Sequence, residues 1–509
     1  MFSTILSAAV LGIDAYPVQV EADICDGLPQ FSMVGDLAAE VKEAADRVRT
    51  ALRNNGIAFP AKKVTVNLSP AHIRKEGTRF DLPVAVALLT ALGIIPREHT
   101  EEILMVGEIG LNGLVRPVSG VLQSVMLAKE RGYTACLVPA ANVREAASVP
   151  GILVIGIQNL QELLECLVSE GIPERYIRKE EFLPEQDVEY QEDFRDVNGQ
   201  EGVRRAAEIV AAGMHNFLMI GSPGAGKTMI ARRIPTILPR LTVEESLEIS
   251  RVYSACGLLV GEGLAKIRPF RAPHHTISAN ALAGGGRKIL PGEISLATHG
   301  VLFLDELPEF SRSALEVLRQ PMEEGQVTIS RANGKYVFPA HFVLISAMNP
   351  CPCGYYPDRD KCRCLPGEIS RYLHRVSWPL LDRIDICTET PRVDYQGLTR
   401  KGENESSAQI RERVEAARKI QKRRYQGQHW QFNSRIPVSA IPEFCVLGSS
   451  EMRIMEAAFE RMNLSARAYY RIIRVARTIA DLEGEERIRD IHLLEALGYR
   501  SVDQNFWDR

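Results

Sequence analysis

The sequence predicts an α/β protein: a phosphate-binding α/β core, preceded by an α+β region and followed by a helical one. Three observations carry this. Gly221–Thr228 reads GSPGAGKT and follows the apolar run Phe217–Ile220. A second apolar run, Val301–Leu304, ends in the carboxylate pair Asp305-Glu306. Residues 396–509 read as largely helical, rich in Arg, Ala, Leu and Glu, with an interruption near Gln426–Pro442.

In chain order, residues 1–170 alternate strand and helix patterns. Val18–Ile24 and Val64–Leu68 alternate with period two, whereas Ala38–Asn55 and Leu82–Leu92 carry helical spacing. Gly107–Gly113 reads as a hairpin turning at Asn112-Gly113, and Ile152–Leu167 closes the region. Residues 171–195 are polar and acidic, with Glu180, Glu181, Glu185, Asp187, Glu189, Glu192 and Asp193, the pattern of a solvated linker. The core is expected over 196–395 and the helical domain over 396–509.

The chemistry begins at Gly221. Glycines let backbone N–H groups crowd around phosphate oxygens, Lys227 brings charge to the β- and γ-phosphates, and Thr228 offers a hydroxyl to Mg²⁺. The run Gly221, Ser222, Pro223, Gly224, Ala225, Gly226, Lys227, Thr228 and Met229 is therefore the expected nucleotide cradle. Asp305 is placed to hold the Mg²⁺ shell and Glu306 to polarise the water that attacks the γ-phosphate. Each motif, following its own buried-strand pattern, strengthens the other; together they predict ATP binding and hydrolysis.

Bulk properties bound the rest. At 509 residues, 45% hydrophobic and 25% charged, the chain has the ordinary globular mixture and room for several domains. A net charge of −3 excludes a generic polyanion binder, so any nucleic-acid contact must come from a local basic surface. No run approaches bilayer-spanning length, and the expected location is the cytoplasm, with no membrane partner.

Further pieces align with the AAA+ ATPases. Asp196–Gln200 precedes the phosphate-loop helix, where these enzymes often keep a D-[VI]-x-G-Q element near the adenine. Asn349, at the tip of the apolar strand His341–Ala347, fits the sensor-1 role of bonding the attacking water and the γ-phosphate. Leu380–Asp385 resembles the L-L-D-R-[IF] segment whose arginine, here Arg383, reaches the neighbouring subunit's nucleotide; Arg375 is its nearest rival. Leu464–Arg467 opens a helix where a sensor-2 arginine is expected, which assigns Arg467, although Arg471, Arg474 and Arg477 share that helix.

The segments Pro291–Ala297, LFLDELPEF, MNPCPCGYY and RVARTIADLE, with GLPQFSMVGD and VNLSPAHIRKEGTRFDLPVAVALL near the N-terminus, together resemble the bacterial YifB/ComM family of magnesium-chelatase-like AAA+ ATPases over nearly the whole chain. The resemblance implies an N-terminal Lon-protease-like (ribosomal S5 domain 2-like) α+β domain, an AAA+ P-loop α/β core and a C-terminal helical lid. It implies a ring, a hexamer, acting on DNA as a helicase that drives branch migration in recombination and natural transformation. The runner-up is a chaperone-like remodeller of protein or metal-insertion complexes, as in magnesium chelatase. In active Lon enzymes a serine follows the proline matching Pro83, and here Val84 follows; the segment matching the lysine helix, Gly120–Ser124, holds no lysine. Without nucleophile and base no acyl transfer runs there, which leaves an assembly or docking role.

Three further features carry expectations. Gln326–Ala340 has two alternating arms around Asn333-Gly334, a strong hairpin signal, with Arg331 and Lys335 at the tip. In the chelatase-like branch such a hairpin points into the central pore, where its two cations would follow branched or single-stranded DNA; the bland reading is a solvated surface hairpin. Asn280–Pro291, with Gly284–Lys288, suggests a second pore loop, and His274-His275 before it reads more readily as packed or capped polar residues than as ligand contacts. Cys351, Cys353, Cys362 and Cys364 form C-x-C…C-x-C, compatible with a structural tetrahedral Zn²⁺; disulfides, free thiols and an iron–sulfur cluster remain as other readings. Arg411–Arg424 carries seven basic side chains on an expected helix, either a DNA contact or a solvated lid face.

Overall fold

The computed structural model describes residues 1–169, 171–178, 190–259, 263–286, 289–331, 334–392 and 404–507. Residues 179–189 of the acidic linker lie outside these residues, as do Arg287, Lys288 and Asn333. The chain divides into two compact units: residues 1–186 with 243–266 and 287–291, and residues 187–242 with 267–286 and 292–509.

The first unit is built on an eight-stranded sheet, ordered Ile177–Arg178, Leu153–Ile157, Ala135–Pro139, Ile103–Met105, Phe2–Leu11, Asp14–Cys25, Lys63–Ser69 and Gln30–Val34. Its longest pair, Phe2–Leu11 against Asp14–Cys25, is an antiparallel hairpin closed at Leu11 and Asp14, with Gly12 at φ +66° taking the left-handed turn. The strand Lys63–Ser69 buries every second residue, as its alternation predicts. The helical pattern 38–55 resolves into two helices, Ala39–Lys42 and Ala44–Asn54. Helix Asp81–Ala91 is buried along almost its whole length, Asp81 included. That carboxylate is tolerated because Arg47 grips it with Nε and Nη2, both at 2.8 Å. Val84, which follows Pro83, and Leu122, within Gly120–Ser124, are both fully buried among apolar neighbours.

The segment 243–266 clusters with this first unit, an excursion that a core read as unbroken from 196 to 395 does not anticipate. Helix Val243–Ala255 joins helix Val121–Glu130 through polar contacts. Gln123 Nε2 donates to the Arg251 carbonyl at 2.5 Å, and Ser254 Oγ donates to the buried Glu145 carboxylate and lies 3.0 Å from Gln123 Oε1. Leu259 is buried in the same apolar cluster as Val121, Leu122 and Val125.

The second unit holds a five-stranded parallel sheet, ordered Phe270–Arg271, Val301–Leu304, Val343–Met348, Phe217–Ile220 and Ile386–Glu389. Three of these strands are buried at every residue, which is why they read as unbroken apolar runs: both sheet faces are covered. The C-terminal helices Ser407–Arg424, Ser449–Arg461, Ala466–Leu482 and Asp490–Trp507 share the core of this sheet, with Val414, Ile472, Ile479 and Leu493 in one cluster with Ile230, Ile234 and Phe303. No described helix is long and apolar enough to cross a membrane.

Candidate nucleotide site

Strand register brings the predicted residues together. Ile220 pairs with Met348 and with Glu389, and Leu304 pairs with Ser346, so Gly221, Asn349, Thr390 and Asp305 all emerge at the carboxyl edge of one parallel sheet. That edge is where open α/β sheets bind ligands. Gly221 serves a packing need besides the cradle: a Cβ there would stand 2.4 Å from the Thr390 carbonyl oxygen. Gly224 and Gly226 take the left-handed φ values +75° and +84° that turn the loop into helix Lys227–Ile237. Met229 lies in the first turn of that helix, partly exposed. Gln200, itself at φ +58°, clasps the loop through Nε2 to the Ala225 carbonyl at 2.6 Å and the Pro391 carbonyl at 3.0 Å, while Asp196 pairs with Arg233 at 2.7 Å.

Lys227 Nζ donates to the carbonyls of Gly221 (2.6 Å) and Ser222 (3.0 Å) and to Asn349 Oδ1 (3.2 Å). Burial pushes its pKa down and the Asp305 carboxylate opposes that, a balance suited to an ammonium that trades loop carbonyls for phosphate. Thr228 Oγ1 donates to Asp305 Oδ2 at 2.7 Å. A hydroxyl and a carboxylate side by side are hard oxygen donors of the kind Mg²⁺ takes with nucleotide phosphates, so these residues fit that ion.

Glu306 follows at φ +53° with its N–H on Asp305 Oδ1 (2.9 Å), and its side chain is more than half exposed. It faces His275, whose Nδ1 is 3.2 Å from Glu306 Oε2. The His275 ring in turn lies against His274, centres 4.1 Å apart and planes tilted by 35°, and edge-on to Phe310 at 6.4 Å. The packing expected of the histidine pair is present, and it delivers one of them to the carboxylate.

Arg383 and Arg467 form a separate group around Glu323. The Arg383 guanidinium is only 5% exposed; it donates to the Pro379 carbonyl at 2.6 Å and pairs with Glu323 at 2.5 Å, and burial lowers its pKa. Arg467 is exposed and stands 3.9 Å from Glu323 and 4.0 Å from Asp382. Arg375, also exposed, pairs with Glu309 at 2.8 Å. Beneath lies Asp385. Burial pushes its carboxyl up, but Arg471 at 2.5 Å, His215 and the Asn216 N–H outweigh this and hold it well below the usual carboxylate range. Glu323 and His215 had no local sequence signal, since each acts on residues distant in the chain.

The antiparallel hairpin Gln326–Arg331/Gly334–Pro339 forms with Ser330 opposite Lys335 and Arg331 opposite Gly334, so Gly334 belongs to the second strand and not to a turn centred on Asn333-Gly334; both cations are exposed. Gly285 lies beside it: a Cβ there would come within 3.6 Å of Arg331 Nη2. In the basic helix Ser407–Arg424, three of the cations are engaged internally, Arg413 with Glu208 and Glu405, Arg418 with Gln421 and the Gln431 carbonyl, and Arg424 with Asp481.

The Sγ atoms of Cys351, Cys353, Cys362 and Cys364 all lie within 4.8 Å of one another, with Cys351 at 3.3 Å from Cys353 and 3.7 Å from Cys362. Tetrahedral Zn–S bonds of about 2.3 Å set sulfurs about 3.8 Å apart, so the four side chains fit a zinc ion.

Comparison with known proteins decides the family. Competence protein ComM of Haemophilus influenzae is 42% identical over 503 residues, 98% of this chain and 97% of its own length. The chain belongs to the YifB/ComM family of magnesium-chelatase-like proteins. YifB of Escherichia coli, an uncharacterised member, is likewise 42% identical over 504 residues, 99% of this chain and 97% of its own. The family models agree: "Magnesium chelatase, subunit ChlI" matches residues 193–398, "Subunit ChlI of Mg-chelatase" 20–142, and "Magnesium chelatase, subunit ChlI C-terminal" 404–500. Lon protease 2 of Bacillus subtilis is 30% identical over 125 residues, 24% of this chain and 22% of its own. Membership makes the chain an AAA+ ATPase, with ATP and Mg²⁺ as the family's nucleotide and ion.

Proposed function

We propose that this ATPase is a ring-forming motor that acts on DNA and drives branch migration of recombination intermediates. Lys227, Thr228 and Asp305 bind the phosphates and the metal ion, Glu306 and Asn349 orient water, and Arg467 senses the nucleotide from the lid. Mg²⁺, when bound, neutralises charge at the β- and γ-phosphates. Arg383 completes the site of the next subunit, for which it must exchange Glu323 for a phosphate; a guanidinium so placed is worth about 10³–10⁵ in rate. The Cys351–Cys364 cluster holds structural zinc. The first unit, with Val84 buried after Pro83 and no lysine in Gly120–Ser124, serves assembly or docking and not acyl transfer.

The observation that carries the DNA reading is the cationic hairpin. Arg331 and Lys335 stand exposed on adjacent arms, beside the glycine loop at Gly285, in a chain of net charge −3 whose basic helix spends three of its cations internally. Two such cations bind a phosphate backbone without reading sequence.

The test is ATP turnover with and without forked or four-way-junction DNA, for wild type and for Arg331→Ala/Lys335→Ala. The expected result is stimulation of wild type by branched DNA, lost in the double variant while DNA-free turnover persists. A rate indifferent to every DNA would instead favour the remodelling of a protein or metal-insertion client, the reading favoured by the match of all three regions to magnesium chelatase models.

A further inference from the structure

We infer that the four-cysteine loop is a buttress of the phosphate loop, so that metal occupancy sets nucleotide affinity. The inference rests on the reading of the cluster as a zinc site and assigns that site a task. Among residues 351–364 only Cys351, Gly354 and Cys362 are buried, so the loop has almost no apolar core to hold its shape. The thiol cluster ties its two ends together, with the Tyr356 N–H donating to Cys351 Sγ at 3.4 Å, and the turn between them is closed by the Cys362 N–H on the Asp358 carbonyl at 2.7 Å. In a segment of that kind, metal binding is the folding energy.

The loop touches the nucleotide site on two sides. Asn349, which accepts from Lys227, is separated from Cys351 by Pro350 alone. Gly354, at φ +85°, lies flat against Pro223 of the phosphate loop. A Cβ on Gly354 would stand 2.4 Å from Pro223 Cδ and 3.7 Å from Asn349 Cγ, so the backbone itself is the packing surface. The loop also meets the C-terminal helix, where the Tyr356 ring lies edge-on to Phe506 at 6.3 Å. Trp507 anchors that end, with Nε1 on the Leu373 carbonyl at 3.2 Å; Phe506 and Trp507 are 8% and 4% exposed. The cysteine loop thus links a fixed helix end to Pro223. Phosphate is bound mainly by backbone N–H groups, whose aim depends on that contact.

The test uses the full-length protein, with metal content read by mass spectrometry and affinity by titration of a fluorescent ADP analogue. Zinc-loaded wild type is compared with chelator-stripped protein, the stripped protein refilled with zinc, Cys362→Ser/Cys364→Ser, and Gly354→Ala, which keeps all four thiols. Stripping is expected to weaken ADP binding by about tenfold, reversibly on refilling. The double serine variant should match the stripped protein, and Gly354→Ala should keep its zinc yet bind ADP more weakly. Zinc that is present and removable with ADP affinity unchanged would overturn the buttress and leave the metal site standing. Wild type that carries no zinc and takes none up would overturn both. If the serine variant fails to fold, the strip-and-refill pair and Gly354→Ala decide the matter.

Discussion

Glu306 is held in a conformation few side chains choose. At φ +53° a non-glycine residue costs about 1–2 kcal/mol, and the Asp305 carboxylate bonds its N–H to keep it there. The side chain is then left half in solvent, free to swing unless something restrains it. His275 is that restraint, at 3.2 Å, itself fixed by His274 and Phe310. His275→Ala is therefore expected to lower ATP turnover by about tenfold, within the range one positioned acid–base group contributes, while leaving ADP affinity as in wild type. An unchanged turnover number would reduce the contact to incidental packing. The clustering of Lys227, Thr228, Asp305 and Asn349 was legible in the sequence because a phosphate loop and a strand-end carboxylate pair are contiguous words. The His275–Glu306 contact was not, because it joins the ends of two neighbouring strands and no local pattern encodes which strands are neighbours.

At the scale of elements, the segment after helix Trp378–Leu381 and the long helix Ala466–Leu482 are joined through buried polar groups. Asp385 takes Arg471 from that helix, and His215 bonds Thr478 Oγ1 at 2.8 Å. Asn433 continues the network, donating to Thr478 at 3.0 Å and to Asp481 at 2.8 Å. The helix carrying Arg467 is thereby tied to the segment carrying Arg383, with Ser465 both capping the helix and reaching Asp382 at 3.3 Å. Removing one partner of a buried pair leaves the other charge uncompensated, so Asp385→Asn is expected to destabilise the second unit by roughly 3–5 kcal/mol. The sign of its pH dependence follows from the lowered carboxyl pKa. The stabilisation is complete above the unfolded value of about 4 and is lost as pH falls toward the lower folded value. The gap in melting temperature between wild type and variant should hold from neutral pH down to about 4 and close below it. A gap that persists undiminished in stronger acid would refute the assignment. The hairpin at 326–339 was legible because two alternating arms around Asn-Gly specify it locally. The arginine arrangement was not: Glu323, which gathers Arg383 and Arg467, is an ordinary glutamate at the end of an ordinary helix.

At the scale of the molecule, the order of elements along the chain is not the order of the compact units. The sequence marks strands by burial and alternation, and those signals do not say that residues 243–266 leave the ATPase unit to complete the other one. The physical reason is a surface on the first unit that is unfinished without them. Leu259 is buried with Val118, Val121, Leu122 and Val125, and Tyr253 and Leu264 pack against the same cluster. Glu145, itself buried, accepts from the Leu122 N–H at 2.9 Å and from Ser254. Arg79, buried nearby, has its pKa pushed down to about 10 by burial, partly offset by Glu145. A fragment ending at residue 186 would therefore expose an apolar face and leave Glu145 and Gln123 short of partners, a combination that costs several kcal/mol by the usual scales of about 25 cal/mol per Å² and 1–3 kcal/mol per orphaned group. Expressed alone, residues 1–186 are expected to melt early and to bind a hydrophobic dye. A synthetic peptide covering 243–266, added in trans, should raise the melting temperature and displace the dye, whereas the same peptide with Ser254→Ala and Leu259→Asp should do neither. A fragment 1–186 that melts sharply and ignores the peptide would show that the first unit is complete without the excursion, and that the helix Val243–Ala255 merely rests against a surface already closed.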